Sequence, residues 1–256
     1  MDLLRAVEQG DIEQVKRLLD DGVNVDFKDE YGISALSIAI TNSKIDSLKV
    51  LLEKGADINI KENTWQMTPL FLAVFQGDVD IVKMLLEKGA DVNVANTEKI
   101  TPLFWAVKKG HVDVVELLLR QGADPNCRDD EYSTLLYRAV YKNNSKMVEL
   151  LVKYGAHVNS ADPENEFELL EIAIANHNVN IVKILLENGS NVGVYIDDKI
   201  VQDALLCIEK EKIGKEIDAI ANLINQNSEI KPVDKIVILD MVDKLKQIFN
   251  KQFGKN

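Results

Sequence analysis

Cysteine is nearly missing from this 256-residue chain: Cys127 and Cys207 are the only two. That is too few to staple a protein of this size, so a disulfide framework is excluded and a reducing compartment is expected. Proline (5) and glycine (13) are also sparse, which excludes collagen-like and linker-rich sequences. Aromatic residues make up only 6%. No uninterrupted apolar run approaches the ~20 residues of a membrane span, and the start Met1-Asp2-Leu3-Leu4-Arg5 does not read as a secretory leader. Basic charge is in deficit, 30 Lys and Arg against 42 Asp and Glu, for a net charge of −12. Phosphate-rich partners demand a positive footprint, so this balance argues against nucleic acid and anionic membrane surfaces. What is present, 46% apolar and 28% charged residues, describes a soluble globular chain, expected in the cytoplasm.

A period runs through most of it. Leu18-Leu19-Asp20-Asp21-Gly22 returns as Leu51-Leu52-Glu53-Lys54-Gly55, then at Gly89, Gly122, Gly155 and Gly189. Successive glycines lie 33, 34, 33, 33 and 34 residues apart, and an alanine series (Ala6, Ala39, Ala73, Ala106, Ala139, Ala173) keeps the same steps. Two independent markers on one spacing over six copies define a repeat protein. Each copy reads as two helices. Thr68 and Thr101 are placed to cap the first, with Pro69 and Pro102 at the first helical position; Ser34 and Thr134 keep the cap without the proline. A break follows at Gly10, Ser43, Gly77, Gly110, Asn143 and His177. The second helix carries apolar residues at helical spacing, such as Val79, Val82, Leu85 and Leu86. Short polar connectors such as Ala90-Asp91-Val92-Asn93 suit hairpin-like turns.

These motifs resemble those of the ankyrin repeat family. Thr68-Pro69-Leu70-Phe71-Leu72-Ala73 and Thr101-Pro102-Leu103-Phe104-Trp105-Ala106 match its T-P-L-H-x-A signature with Phe in place of His. The Gly-Ala-Asp-x-Asn runs ending at Asn59, Asn93 and Asn126 match its second signature. The resemblance implies an all-α ankyrin-repeat α-solenoid with hairpin-like connectors. Six repeats are expected over 1–195, at about 1–28, 29–62, 63–95, 96–128, 129–162 and 163–195. Beyond them, two helices over Asp198–Glu211 and Glu216–Gln226 read as a degenerate seventh repeat within 196–230. Pro232 opens an amphipathic helix in 231–256, read as a C-terminal cap, with Val233, Ile236, Val237, Met241, Leu245, Ile248 and Phe249 on one side.

Catalytic chemistry is not signalled. His111, His157 and His177 lie in different repeats, no H-E-x-x-H or C-x-x-C spacing occurs, and no glycine-rich phosphate loop is present. Neither cysteine has a histidine nearby in sequence, and Asp129-Asp130-Glu131 sits in a connector where solvation is the default. No cofactor or metal is expected. The family resemblance implies instead a protein-protein interaction module that binds through connector tips and the exposed side of the first helices, a concave surface. Carried onto this sequence, that surface includes Tyr31, Trp65, Met67, Phe75, Ile100, Lys108, Lys109, Tyr141, Lys142 and Phe167. Lys108, Lys109, Arg128 and Lys142 outline a small basic strip, whereas Trp105, in the slot of Leu72, reads as core.

A monomer binding a protein or peptide is expected. Residues 1–198 hold 20 basic against 33 acidic side chains and 199–256 hold 10 against 9, so the array itself favours a basic partner. Frequent Ile, Lys and Asn point to an AT-rich genome and leave room for an effector acting in a host cytosol. The alternative is an enzyme or ligand-binding regulator using residues 196–256, marked by a convergent carboxylate or lysine pocket there. The resemblance also makes Asn59, Asn93 and Asn126 candidate sites of asparagine hydroxylation.

Overall fold

A computed structural model describes residues 3–62, 65–128, 133–159, 168–226 and 231–253, without the side chains at 233, 234, 237, 245 and 248–253. Phe167 and Thr64 lie outside the described residues, as do the side chains of Val233, Val237, Leu245, Ile248 and Phe249. The chain divides into two compact units, 1–172 and 173–256.

The first unit is built of helix pairs: α1 (Leu3–Gln9) and α2 (Ile12–Asp20), α3 (Ala35–Thr41) and α4 (Ile45–Glu53), and α5 (Pro69–Gln76) and α6 (Val79–Glu87). They are followed by α7 (Pro102–Lys109) and α8 (Val112–Arg120), then α9 (Leu135–Tyr141) and α10 (Ser145–Lys153). Each first helix packs on its own second helix and on the first helix of the next pair, so the first and second helices form two parallel rows. Their starts follow from the caps. The Thr68 and Thr101 hydroxyls accept from the N–H groups of Phe71 (3.2 Å) and Phe104 (3.1 Å), and Ser34 and Thr134 do the same for Ser37 and Tyr137. Such a cap is worth about 1 kcal/mol.

The break between the two helices of each pair is a backbone in the left-handed region: Gly10, Ser43, Gly77, Gly110, Asn143 and His177 all have φ between +50° and +81°. At Gly77 space is short as well. A Cβ there would stand 2.8 Å from Cε1 of His111, which places this histidine in a structural contact between consecutive repeats.

Stitching from repeat to repeat is periodic too. The side-chain oxygens of Asn59, Asn93 and Asn126 accept from the backbone N–H of Asp91 (2.8 Å), Asp124 (3.1 Å) and His157 (2.9 Å) in the following connector. The amides of Asn93 and Asn126 also donate to the carbonyls of Gly122 and Gly155. The hairpin-like connectors carry isolated antiparallel bridges, Lys28 with Ser34, Glu62 with Met67 and Arg128 with Thr134, and there is no sheet among the described residues. The core is the apolar stripe of both rows, with Leu70, Ile81, Leu85, Leu103, Phe104, Leu118 and Leu135 fully buried.

Helix α11 (Leu169–Ala175) leads into the second unit, which holds α12 (Val179–Glu187), α13 (Lys199–Gln226) and α14 (Pro232–Phe253). The two helices expected over Asp198–Glu211 and Glu216–Gln226 are one continuous helix of 28 residues. Gly214 is the sole weak point in between, and a mid-helix glycine costs only about 1 kcal/mol, too little to make a turn where no cap or proline demands one. Helix α12 packs on α13 and α13 on α14. The stripe expected on α14 is also corrected: Ile236 and Met241 are exposed, while Val242 is buried. The ammonium of Lys235 bonds the Asn225 carbonyl (2.9 Å) and that of Lys246 pairs with Asp218 (2.7 Å). Those anchors share a helical face with Ile238, Leu239 and Val242, and so select that face over the Ile236–Met241 side.

Candidate partner-binding face

The first helices expose one recurring set of positions. Leu72, Phe75 and Gln76 of α5 stand at i, i+3 and i+4, and so do Trp105, Lys108 and Lys109 of α7 and Arg138, Tyr141 and Lys142 of α9. Together with the connector tips they make one face of the first unit. Successive copies bridge it: Gln76 donates to the Thr41 carbonyl (2.9 Å), and the Lys142 ammonium donates to the Lys108 carbonyl. Each bond satisfies an orphan carbonyl at the end of the preceding first helix.

Large apolar side chains stand on this face. Tyr31 is 74% exposed, Tyr141 68%, Trp65 51% and Phe75 47%; Met67 is half-buried. Ile100, placed among the surface residues on sequence grounds, is a correction at 5% exposure. Asn96 explains it: its side-chain oxygen accepts from both Glu98 N–H (3.0 Å) and Ile100 N–H (2.9 Å), folding the tip so that Ile100 points inward and Glu98 outward. Tyr141 stacks on Tyr137 with ring centres 6.0 Å apart.

Trp105 is the second correction. It is half-buried rather than core, and it stacks on Phe75 with centroids 5.1 Å apart and planes 16° from parallel, with Phe71 behind it at 6.1 Å. Trp65, Met67, Phe71, Phe75 and Trp105 line a cavity of about 350 Å³, edged by Asn96 and Glu98. The tip that carries Trp65 is held in place because its carbonyl accepts from Thr97 N–H (3.1 Å) in the next connector. The cavity therefore lies between the third and fourth repeats and needs both.

Charge around the cavity departs from the acidic average. The ammonium groups of Lys108 and Lys109 each lie 5.3 Å from the Trp105 ring centre, and that of Lys109 is also 5.4 Å from the centre of Phe75. Lys142 is tied to the Lys108 carbonyl, and the Arg138 guanidinium covers Phe104 at 4.9 Å. Lys108, Lys109 and Lys142 are thus gathered on adjoining helices; Arg128 is exposed at the base of the following connector. The positive strip sits within an array whose summed charge is negative. Two like charges ~4 Å apart repel by about 1–4 kcal/mol in water-rich surroundings, so local sign outweighs the net count for a ligand entering here.

Elsewhere titratable groups pair rather than converge. In the second unit Lys183 of α12 meets Glu211 of α13, which raises the lysine pKa above its ordinary value through that hydrogen bond. Cys127 contacts the Thr101 hydroxyl (Sγ–Oγ1 3.2 Å). Among the described residues no cluster of three or more His, Cys, Asp or Glu could hold a metal, and no helix is long and apolar enough to cross a membrane.

Comparison with known proteins agrees with this architecture. The profile of the ankyrin repeats, in three copies, matches residues 3–96, 61–129 and 103–196, and the chain belongs to the ankyrin repeat family. The crystal structure of an ankyrin repeat domain from Acinetobacter baumannii AYE is similar at 33% identity with a TM-score of 0.68, covering 73% of this chain and 97% of that one. A 68-residue stretch is 35% identical to potassium channel AKT2/3 of Arabidopsis thaliana, over 27% of this chain and 8% of the channel. Another 67 residues are 36% identical to the ankyrin repeat-containing protein P1E11.10 of Schizosaccharomyces pombe, over 26% of this chain and 32% of that protein. The chain thus spans a third or less of these two relatives. Ankyrin repeats are in general protein-protein interaction modules, and the fold is typically non-enzymatic.

Proposed function

We propose that this chain is a non-enzymatic interaction module that grips a protein or peptide partner across the connector tips and exposed first-helix positions of repeats two to five. It would work in a cytosol, that of the producing cell or of a host into which it is delivered. One observation carries the reading: Tyr31, Trp65, Phe75 and Tyr141, four large aromatic side chains of the connector tips and first helices, are exposed, and Trp65 and Phe75 line one cavity. Exposed aromatic groups gathered on one surface mark interfaces, and Trp and Tyr dominate binding energy where they occur. A stack of repeats stabilises itself through its neighbours and leaves this edge free for a partner.

The test is a triple variant, Trp65→Ala with Phe75→Ala and Tyr141→Ala, compared with the unaltered chain in affinity capture from lysate of the source organism. The variant should retain its far-ultraviolet circular dichroism and lose the specific partner seen by mass spectrometry. Undiminished capture would remove this face from consideration.

A further inference from the structure

We infer that the cavity between the third and fourth repeats takes one large apolar side chain of a partner peptide, and that the residues beside this anchor are Asp or Glu lying toward the fifth repeat. The inference rests on the interaction reading above and gives it a ligand class.

The size and walls of the cavity define the anchor. Its volume of about 350 Å³ stands at the small end of ligand sites, which run from about 300 to 1,000 Å³. The walls are Trp65, Met67, Phe71, Phe75 and Trp105, so a Leu, Met, Phe or Trp side chain would exchange water for aromatic and thioether contacts on several sides. Asn96 and Glu98 at the edge leave a polar exit for the peptide backbone.

Charge decides what flanks the anchor. A ring of aromatic faces is in principle a receptor for an organic cation. Here the stacked pair is already covered by the chain's own ammonium groups, Lys108 over Trp105 and Lys109 over both Trp105 and Phe75. An incoming cation would meet two like charges, whereas a carboxylate would meet two partners and a third at Lys142 on the neighbouring helix. Among the described residues Glu98 is the single acidic side chain lining the cavity, and it belongs to the connector tip, whereas the lysines are borne by the first helices. The arrangement is therefore directional: the apolar group sits between α5 and α7, and the acidic group points toward α9. Lys109 also breaks the bridging pattern. Gln76 and Lys142, in the same slot, reach back to a carbonyl of the preceding helix, but Lys109 lies on the rings, where an anion can draw it away.

The chain carries its own reporter, since Trp65 and Trp105 are its only two tryptophans and both line the cavity. A random peptide library displayed on phage, panned on the full chain, should enrich sequences with one large apolar residue and an Asp or Glu within about three positions on one side. A synthetic peptide from that set should shift tryptophan emission on titration. Lys109→Glu, an exposed substitution, should weaken its binding ~10-fold with circular dichroism unchanged.

Enrichment of Lys- or Arg-flanked sequences would overturn the charge assignment. Binding without a change in emission, or unaffected by Lys109→Glu, would overturn the site. No enrichment at all would overturn the peptide-anchor inference; the interaction reading fails separately, only if the triple variant still captures its partner.

Discussion

The repeat array and the two long C-terminal helices differ in how sharply their apolar residues are gathered on one side and in how much of them is buried. A helix of eight residues such as α7 buries Pro102, Leu103, Phe104, Ala106 and Val107, starts on a threonine cap and stops on a left-handed glycine. Helix α13 runs for 28 residues, buries only Val201 and Ala204, and leaves Leu206, Ile220 and Leu223 exposed. Short helices are marginal alone, so those of the array exist because caps and neighbours on both sides hold them. A long helix is supported by its own hydrogen-bond ladder and needs less from its surroundings. The lesson is where the strength of each region lies: in tertiary contacts for the array, in local propensity for α13.

Side-chain truncation separates the two most strongly. Phe104→Ala empties a fully buried site in α7 and should cost about 3–5 kcal/mol in urea unfolding. Leu223→Ala on α13, 66% exposed, should stay within about 0.5 kcal/mol. Comparable losses at both positions would erase the contrast.

Glycine substitution should then give opposite signs. Gly77→Ala forces a side chain into φ +75° and against His111, and should destabilise by about 1–3 kcal/mol. Gly214→Ala has open space around it in the middle of a helix and should raise stability by up to about 1 kcal/mol. Thermal melts of the two variants check this, and a loss at Gly214 would show that α13 depends on a close approach there.

The smallest effect sharpens the second unit. The pKa of Lys183 is raised by its hydrogen bond to Glu211, so the protonated form is favoured in the folded state. Its contribution is complete below the unfolded lysine value of about 10.4 and fades as pH climbs through the raised folded value. Lys183→Met should lower the neutral melting temperature slightly and flatten the alkaline decline by the same small amount, because a partly exposed pair is worth little. A decline of the same slope in the variant would assign it to other groups.

Much of the array is written locally: the break residue in six copies, a Ser or Thr cap in four and the proline in two. The Thr and Ser caps, the Pro at the first helical position and the break residues each act within a few positions, so a single copy suffices to read them. Comparison with the slot of Leu72 reads Trp105 as core, whereas at i, i+3 and i+4 it shares a face with Lys108 and Lys109, a signal present in the sequence. Ile100 was harder, since its inward turn depends on one side-chain oxygen of Asn96 binding two backbone groups. The cavity depends on rings about 30 residues apart, Phe75 and Trp105, meeting across a repeat boundary, and no local pattern announces that. Helix α13 runs unbroken through Gly214, which the middle of a helix tolerates at a cost of about 1 kcal/mol.

Where a partner sits is best measured by amide hydrogen exchange on the complex. New protection should fall on the tips and first helices, in 65–77, 96–109 and 137–142, with α6 and α8 unchanged. Protection confined to the second-helix row or to α13 and α14 would contradict the account.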